Sequence, residues 1–136
     1  MRVELSQRLK GESDSELAEV IERIVRNGGA ERIFKINWQG ISKFARMILK
    51  CCGRIRFGEV ISYGELAKTA GLPGAARAIG QVMAHNRFPL FFPCHRVVTA
   101  DGRLGGFTGG VWIKKHLLEF EGWRILGNDW NARVVR

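Results

Sequence analysis

No stretch of the chain comes near the roughly 18 consecutive apolar residues that a membrane-spanning helix needs, and the opening Met1-Arg2-Val3-Glu4 has none of the apolar run of a secretory signal. These absences predict a soluble protein of the cell interior, cytoplasmic or, in a eukaryote, nuclear, with no membrane partner. Cysteine is scarce: three in 136 residues, with Cys51 and Cys52 adjacent. That excludes the even, spaced framework of a disulfide-stapled secreted domain and suits a reducing compartment. Histidine also numbers three, and neither type falls in the first 40 residues, so a zinc site there lacks ligands. The chain has no internal repeat and no low-complexity run. The glycines between Gly102 and Gly110 are not followed by the lysine and serine that a phosphate-cradling loop requires.

Acidic residues are few and unevenly placed. Residues 31–136 hold seventeen of the 22 Lys/Arg but only seven of the 13 Asp/Glu. Such an excess favours a polyanionic partner through counterion release, although basic proteins that touch no nucleic acid exist. With 46% apolar residues, the length suits one compact domain with a small appendage and is too short for two.

The opening segment, residues 1–40, reads as a reduced α/β unit. It has a strand near Arg2 to Leu5 and a helix announced by Ser13 and Glu16 at capping-box spacing, with Leu17, Val20, Ile21, Ile24 and Val25 as its apolar stripe. Asn27-Gly28-Gly29 stops that helix, and a second strand is expected over Arg32 to Asn37. These elements bury too little to fold alone, and a boundary is expected near Gly40. Beyond it, Ile41, Phe44, Ala45, Ile48, Leu49 and Cys52 mark one face of a helix, making Cys52 a core residue. Cys51 has no His or acidic neighbour to activate it, so the pair reads as structural. A short helix over Glu65 to Ala70, a Gly71-Leu72-Pro73-Gly74 turn and a helix over Ala75 to His85 make a helix–turn–helix. The second helix opens on Ala75, Ala76 and Ala78, a face bare except for Arg77 that can approach a groove floor; an ordinary helical hairpin is the plain alternative.

The run Asn86 to Val98 is apolar, carries Pro89 and Pro93, and delivers Cys94 next to His95. Prolines stiffen the backbone that holds a nucleophile. A buried cysteine is ordinarily a small core hydrophobe, but a thiol beside a histidine can be activated. Adjacent side chains in extended backbone point apart, so contact between the two needs a local turn or a bridging water.

Pro93-Cys94-His95-Arg96-Val97 resembles the active-site motif of the O6-alkylguanine-DNA alkyltransferases, or methylated-DNA–protein-cysteine methyltransferases. Phe57 to Ala67, Ala76 to Gly80, Asn86, the Gly102 to Gly110 loop and Glu121-Gly122 resemble the family in order and spacing, so the likeness spans about residues 41 to 125. It implies an α+β fold: a mainly helical alkyltransferase C-terminal domain with a winged helix-turn-helix-like motif at 41–136, preceded by the reduced segment. It also implies roles. Cys94 accepts the alkyl group, His95 is the base acting through a water, Glu121 orients His95, and Asn86 braces the loop. Tyr63 reaches N3 of a flipped guanine, the carbonyls of Cys94 and Val97 accept from the exocyclic amine, and the Thr108 N–H bonds O6. Arg77 fills the stack vacated by the flipped nucleotide, with Ala75 and Ala76 against the DNA.

The implied partner is double-stranded DNA containing O6-alkylguanine, with O4-alkylthymine a second candidate substrate. The implied protein is a monomer with no metal and no cofactor that acts once per molecule. His95 held by Glu121 is expected to place positive charge beside Cys94 and lower the thiol's pKa from its usual ~8.5. His85 and His116 lack any surrounding motif and read as helix-end and helix-face residues. The chain departs from the family at Phe107, where relatives often place tyrosine, and at Gly106, where some have asparagine. Three rivals remain. A non-enzymatic alkyltransferase-like DNA damage binder replaces the cysteine that is present here. A helix-turn-helix regulator leaves Tyr63 and Glu121 unexplained. A Cys-His hydrolase lacks a recognisable oxyanion hole.

Overall fold

A computed structural model describes residues 14–27, 35–107 and 110–135. The expected N-terminal helix is present as α1, Asp14–Asn27. Its Ile24 and Val25 are buried. The strand expected at Arg2 to Leu5, the Ser13 cap and residues 32–34 lie outside the described residues. Residues 35–37 are irregular where a strand was expected. The Asn37 side chain accepts the Gln39 N–H at 3.0 Å, and Ile41 N–H bonds the Trp38 carbonyl at 3.0 Å, so local turns take the groups a ladder would have used.

Helix α2, Lys43–Cys52, starts later than the apolar pattern suggested because Ser42 caps it, its hydroxyl accepting from Ala45 N–H at 3.1 Å. The expected face is buried at Ile48, Leu49 and Cys52, and Ile41 packs from just before the helix. Strand β1, Ile61–Ser62, leads directly into α3, Tyr63–Thr69. Ser62 and Glu65 form a reciprocal capping box, and this moves the helix start two residues earlier than predicted, onto Tyr63. After the glycine turn comes α4, Ala76–Ala84, closing the helix–turn–helix.

The chain then crosses through the apolar loop to a 3₁₀ turn, Cys94–Arg96, and β2, Val97–Val98, which pairs parallel with β1 in the register Ile61 to Val97 and Ser62 to Val98. Helix α5, Val111–Phe120, follows, with Glu121 as its C-cap. An antiparallel hairpin that the sequence reading did not anticipate ends the described chain: β3, Arg124–Leu126, with β4, Arg133–Val135. Gly127-Asn128-Asp129 between them was the available signal.

Two apolar clusters result among the described residues. The larger joins α2, α3, α4 and the cysteine loop through Leu49, Cys52, Leu66, Ile79, Phe92 and Val97. The smaller, Leu104, Leu118 and Ala132, lies under the hairpin with Trp123 and Val134 packed on it. The 3₁₀ turn that carries Cys94 and His95 lies against α5, whose C-cap is Glu121. No helix among the described residues is long and apolar enough to cross a membrane.

Candidate active site

Cys94 is set by backbone constraints on both sides. Pro93 has φ −74° and ψ 70°, the geometry of an inverse γ-turn, and Cys94 N–H bonds the Phe92 carbonyl at 2.7 Å across it. The proline ring supplies that φ without entropy loss on folding. The same Phe92 carbonyl accepts from Asn86 Nδ2–H at 3.1 Å, while Asn86 Oδ1 accepts from Phe88 N–H at 2.9 Å. One buried side chain thus ties the start of the loop to its end. Phe88 and Phe92 pack on Trp38 at centroid distances of 6.1 and 5.4 Å, anchoring the loop from a residue that precedes α2. Within the loop Leu90 has φ 75°, a left-handed conformation costing of order 1–3 kcal/mol for a branched residue.

The 3₁₀ turn puts His95 and Arg96 on the side of α5's C-terminus. His95 is fully buried, and its Nε2–H donates to Glu121 Oε1 at 2.7 Å. A carboxylate only accepts, so Nε2 carries the hydrogen and Nδ1 bears the lone pair. Nδ1 is buried with no hydrogen-bond partner among the described residues. Glu121 also receives Gly58 N–H at 3.0 Å and a fork from Arg96, at 2.8 and 2.9 Å to Oε1 and 3.0 Å to Oε2. Arg96 completes its set on the carbonyls of Ile55, at 2.7 Å, and Val25, at 2.6 Å. The second bond couples the C-terminal end of α1 to the relay.

These contacts explain the charges. Burial pushes the Glu121 carboxyl up, but hydrogen bonds from His95, Arg96 and Gly58 together hold it below its usual range. Burial dominates at His95 and lowers its pKa, partly opposed by Glu121. Burial likewise raises the Cys94 thiol, opposed by hydrogen bonding from Asn86 and by the Lys114 charge. The expectation of a thiolate beside a positively charged His95 is therefore corrected: the resting pair is a thiol and a neutral imidazole, because both charged forms lose hydration in this interior.

Two contributors escaped the sequence reading. Arg96 was visible only as part of the Pro93–Val97 motif. Lys114 is fully buried on α5, four residues before the core residue Leu118, and its Nζ donates to the carbonyls of Val97, at 2.7 Å, and Leu104. A lysine in phase with an apolar stripe was its signal. Burial lowers its pKa to about 8.

Tyr63, the first residue of α3, is partly buried against the cluster that contains Cys94, and burial raises its phenol pKa, with Cys94 adding to it. Gly105 has φ +69°, and a Cβ there would meet the Tyr63 hydroxyl at 3.7 Å, so glycine keeps the space before that hydroxyl open. The Cys94 carbonyl accepts the Val97 N–H and the Val97 carbonyl accepts Lys114. Arg77 is exposed in the first turn of α4, between Ala76 and Ala78, with Ala75 as N-cap. Thr108 lies outside the described residues; Phe107 packs on the larger core. Cys51 and Cys52 are buried free thiols, and burial raises Cys52's pKa strongly. No group of metal-binding side chains occurs among the described residues. His85 Nδ1 sits 2.8 Å from the Gln81 carbonyl and His116 3.5 Å from Glu119 Oε2, both away from the thiol.

Residues 43–123 match the family described as 6-O-methylguanine DNA methyltransferase, DNA binding domain. This chain belongs to that family. The human methylated-DNA–protein-cysteine methyltransferase is 48% identical over 83 residues, 60% of this chain and 40% of that protein. A crystal structure of the Mycobacterium tuberculosis OGT in complex with DNA aligns with TM-score 0.58 at 45% identity, covering 59% of this chain and 50% of that one. The Schizosaccharomyces pombe Atl1, in complex with damaged DNA containing O6-carboxymethylguanine, aligns with TM-score 0.60 at 29% identity, covering 69% and 89%. The chain thus spans about half or less of the length of those two methyltransferase relatives. The hairpin β3–β4 and α1 lie outside the matched family region.

The buried relay predicts a stability profile. Unfolded His95 takes up a proton near pH 6.5 that the folded protein resists, and unfolded Glu121 does the same near 4.5, so stability falls as pH drops through these values. On the alkaline side unfolded Cys94 ionises near pH 9 before the folded thiol does, again lowering stability, while Lys114 partly offsets this between about 8 and 10.5. Melting temperatures across pH should peak between about 6.5 and 9. A melting temperature that rises from pH 7 to pH 5 contradicts the buried neutral imidazole.

Proposed function

We propose that this chain repairs DNA by transferring the alkyl group of O6-alkylguanine irreversibly to its own Cys94, once per molecule, as a monomer on double-stranded DNA. O4-alkylthymine is a second candidate substrate. The observation that carries the reading is that one 3₁₀ turn holds both Cys94, fixed by the Asn86-braced loop, and the buried His95, whose unpartnered Nδ1 is backed by the Glu121–Arg96 pair. Residues 41–136 form the DNA-binding and alkyl-acceptor unit in this reading, and residues 1–40 an accessory segment. The DNA complexes of the two solved relatives support a DNA partner. The alkyl carbon of a paired guanine cannot be reached in line, so the nucleotide must rotate out of the duplex.

In the step itself Cys94 Sγ attacks the saturated alkyl carbon, the C–S bond forms as the C–O6 bond breaks, and the thiol proton passes through a water to His95 Nδ1. Tyr63 O–H donates toward N3 as negative charge leaves onto the ring, and the carbonyls of Cys94 and Val97 accept from the exocyclic amine, with the Thr108 N–H toward O6. The product is a thioether, which water does not hydrolyse, so nothing regenerates the thiol. Non-enzymatic damage binding of the alkyltransferase-like kind is disfavoured by Cys94 itself, since such binders replace the cysteine that is present here.

The proton that Cys94 and His95 share is present over the range between the lowered pKa of the imidazole and the raised pKa of the thiol. Transfer from free O6-benzylguanine should therefore hold a level rate from below pH 6.5 to above pH 9, the ordinary values of the two groups. An acid limb at or above pH 6.5 rules out the neutral base.

Arg77→Ala should separate flipping from chemistry. Other basic side chains hold the duplex by its phosphates, while the base stack loses its plug. Repair of duplex O6-methylguanine should slow at least tenfold, and transfer from the free base should not change. Equal slowing on both substrates means that Arg77 is no stack-filling residue.

A further inference from the structure

The outward side of α2 takes no part in the chemistry above. Ile48, Leu49 and Cys52 face the core that α2 shares with α4. On the opposite side Lys43, Met47, Lys50 and, just past the helix end, Arg54 fall at helical spacing as one stripe. Two adjoining hollows open along it and share Arg54. One, of about 340 Å³, has Arg26, Arg54 and Arg56 around its rim and Phe57 and Arg96 in its wall. The other, of about 270 Å³, is lined by Lys43, Arg46, Met47, Lys50, Cys51 and Arg54. Neither has a carboxylate in its lining.

Arg26 is paired with Glu22 and Arg96 with Glu121. The side chains of Lys43, Arg46, Lys50, Arg54 and Arg56 form no ion pair with a carboxylate among the described residues; Glu59 accepts only the Arg56 backbone N–H, at 3.3 Å. The Arg46 Nε is buried without an acceptor among them, and the Trp38 ring holds Arg46 at 5.0 Å and Lys50 at 6.0 Å. Five cationic side chains brought together without a salt-bridge partner repel one another, and a row of anions relieves that repulsion. From Lys43 to Arg54 the stripe runs about 16 Å at 1.5 Å per residue. That length spans about five base-pair steps along a duplex axis.

We propose that this stripe is a second phosphodiester-binding surface, which holds a DNA segment other than the one whose nucleotide enters the Cys94 pocket. Naming DNA as the polyanion rests on the repair reading above. The stripe is on the face of α2 opposite the one packed on α4, so a segment lying on it need not displace the duplex at Arg77. Holding a second segment lets the protein pass between DNA segments during its search.

The test uses the full chain and its triple variant Lys50→Gln, Arg54→Gln, Arg56→Gln, all exposed positions outside the site. Undamaged duplex is immobilised, protein is added, and capture of a second, fluorescent undamaged duplex is read. The slope of log affinity against log salt is measured in parallel. Wild type should capture the second duplex. The variant should lose capture, and its slope should fall by about 2 to 3, near 0.9 per lost phosphate contact. Transfer from free O6-benzylguanine should stay at the wild-type rate, which also reports an intact fold. If the triple variant loses that transfer, Lys50→Gln alone is used, with a slope change of about 1 expected. Capture and slope equal to wild type in the folded variant overturn the proposal, and so does a wild type that captures no second duplex. If wild type captures DNA through the stripe but transfers no alkyl group, the repair reading fails while the surface stands.

Discussion

Mixed with an equimolar duplex carrying one O6-methylguanine, the protein should gain the mass of one methyl group, on the peptide containing Cys94, and no more with excess DNA. The thioether gives this stoichiometry, since neither water nor any neighbouring side chain can displace carbon from sulfur. Cys94→Ser should keep duplex binding and reduce transfer by at least ~10³-fold, because a hydroxyl is a far weaker nucleophile at neutral pH than a thiol whose proton His95 can take. The replacement is nearly isosteric at a position 3% exposed, so the loop ties from Asn86 and Phe92 should survive. Intact mass and peptide mapping decide the matter. More than one equivalent repaired per protein, or a methyl group on Cys51 or Cys52, would falsify the single-turnover assignment.

The second large effect is expected from Glu121→Gln. Arg96 is 2% exposed and meets its only carboxylate among the described residues at Glu121. An amide can accept a hydrogen bond from the guanidinium but cannot balance its charge. Removing one member of a buried ion pair costs about 3–5 kcal/mol. For a chain of this size that lowers the melting temperature by on the order of 10 °C. The same change withdraws the negative charge that makes His95 Nδ1 a better base, so transfer from the free base, measured well below the melting range, should slow by about 10²-fold. Both readouts are needed, because a purely structural role for Glu121 predicts the stability loss with little change in rate once folded. A variant that melts within 2 °C of wild type and reacts at its rate would mean that the Arg96–Glu121–His95 network supports neither fold nor chemistry.

The helices were largely legible. Their apolar periods, the Gly71 to Gly74 turn and the Ser62–Glu65 pair are local signals, and local signals act within a few residues of where they are read. Cap positions moved the starts of α2 and α3 by two residues, since a capping hydroxyl overrides an apolar pattern at a helix end. The hairpin Arg124–Val135 was missed because its strands are three residues each, too short for a period to show. At the site, Cys94, His95, Glu121, Asn86 and Tyr63 were singled out through the family motif. Arg96 and Lys114 were not, because their roles lie in bonds to carbonyls as far away in sequence as Val25.

By itself the sequence determined the Cys94–His95 pair, the rigid proline-flanked loop and the helix–turn–helix with its bare, Arg77-bearing face, since each depends on residue type and short spacing. It also carried the basic excess that calls for a polyanion. Only the tertiary structure decided the protonation of the pair. A thiol next to a histidine suggested charge separation, but the distant Glu121, Arg96 and Lys114, together with burial from two cores, set the balance of desolvation against hydrogen bonding. That balance depends on which groups are within a few ångströms after folding, and such distances are not encoded in any single stretch of the chain.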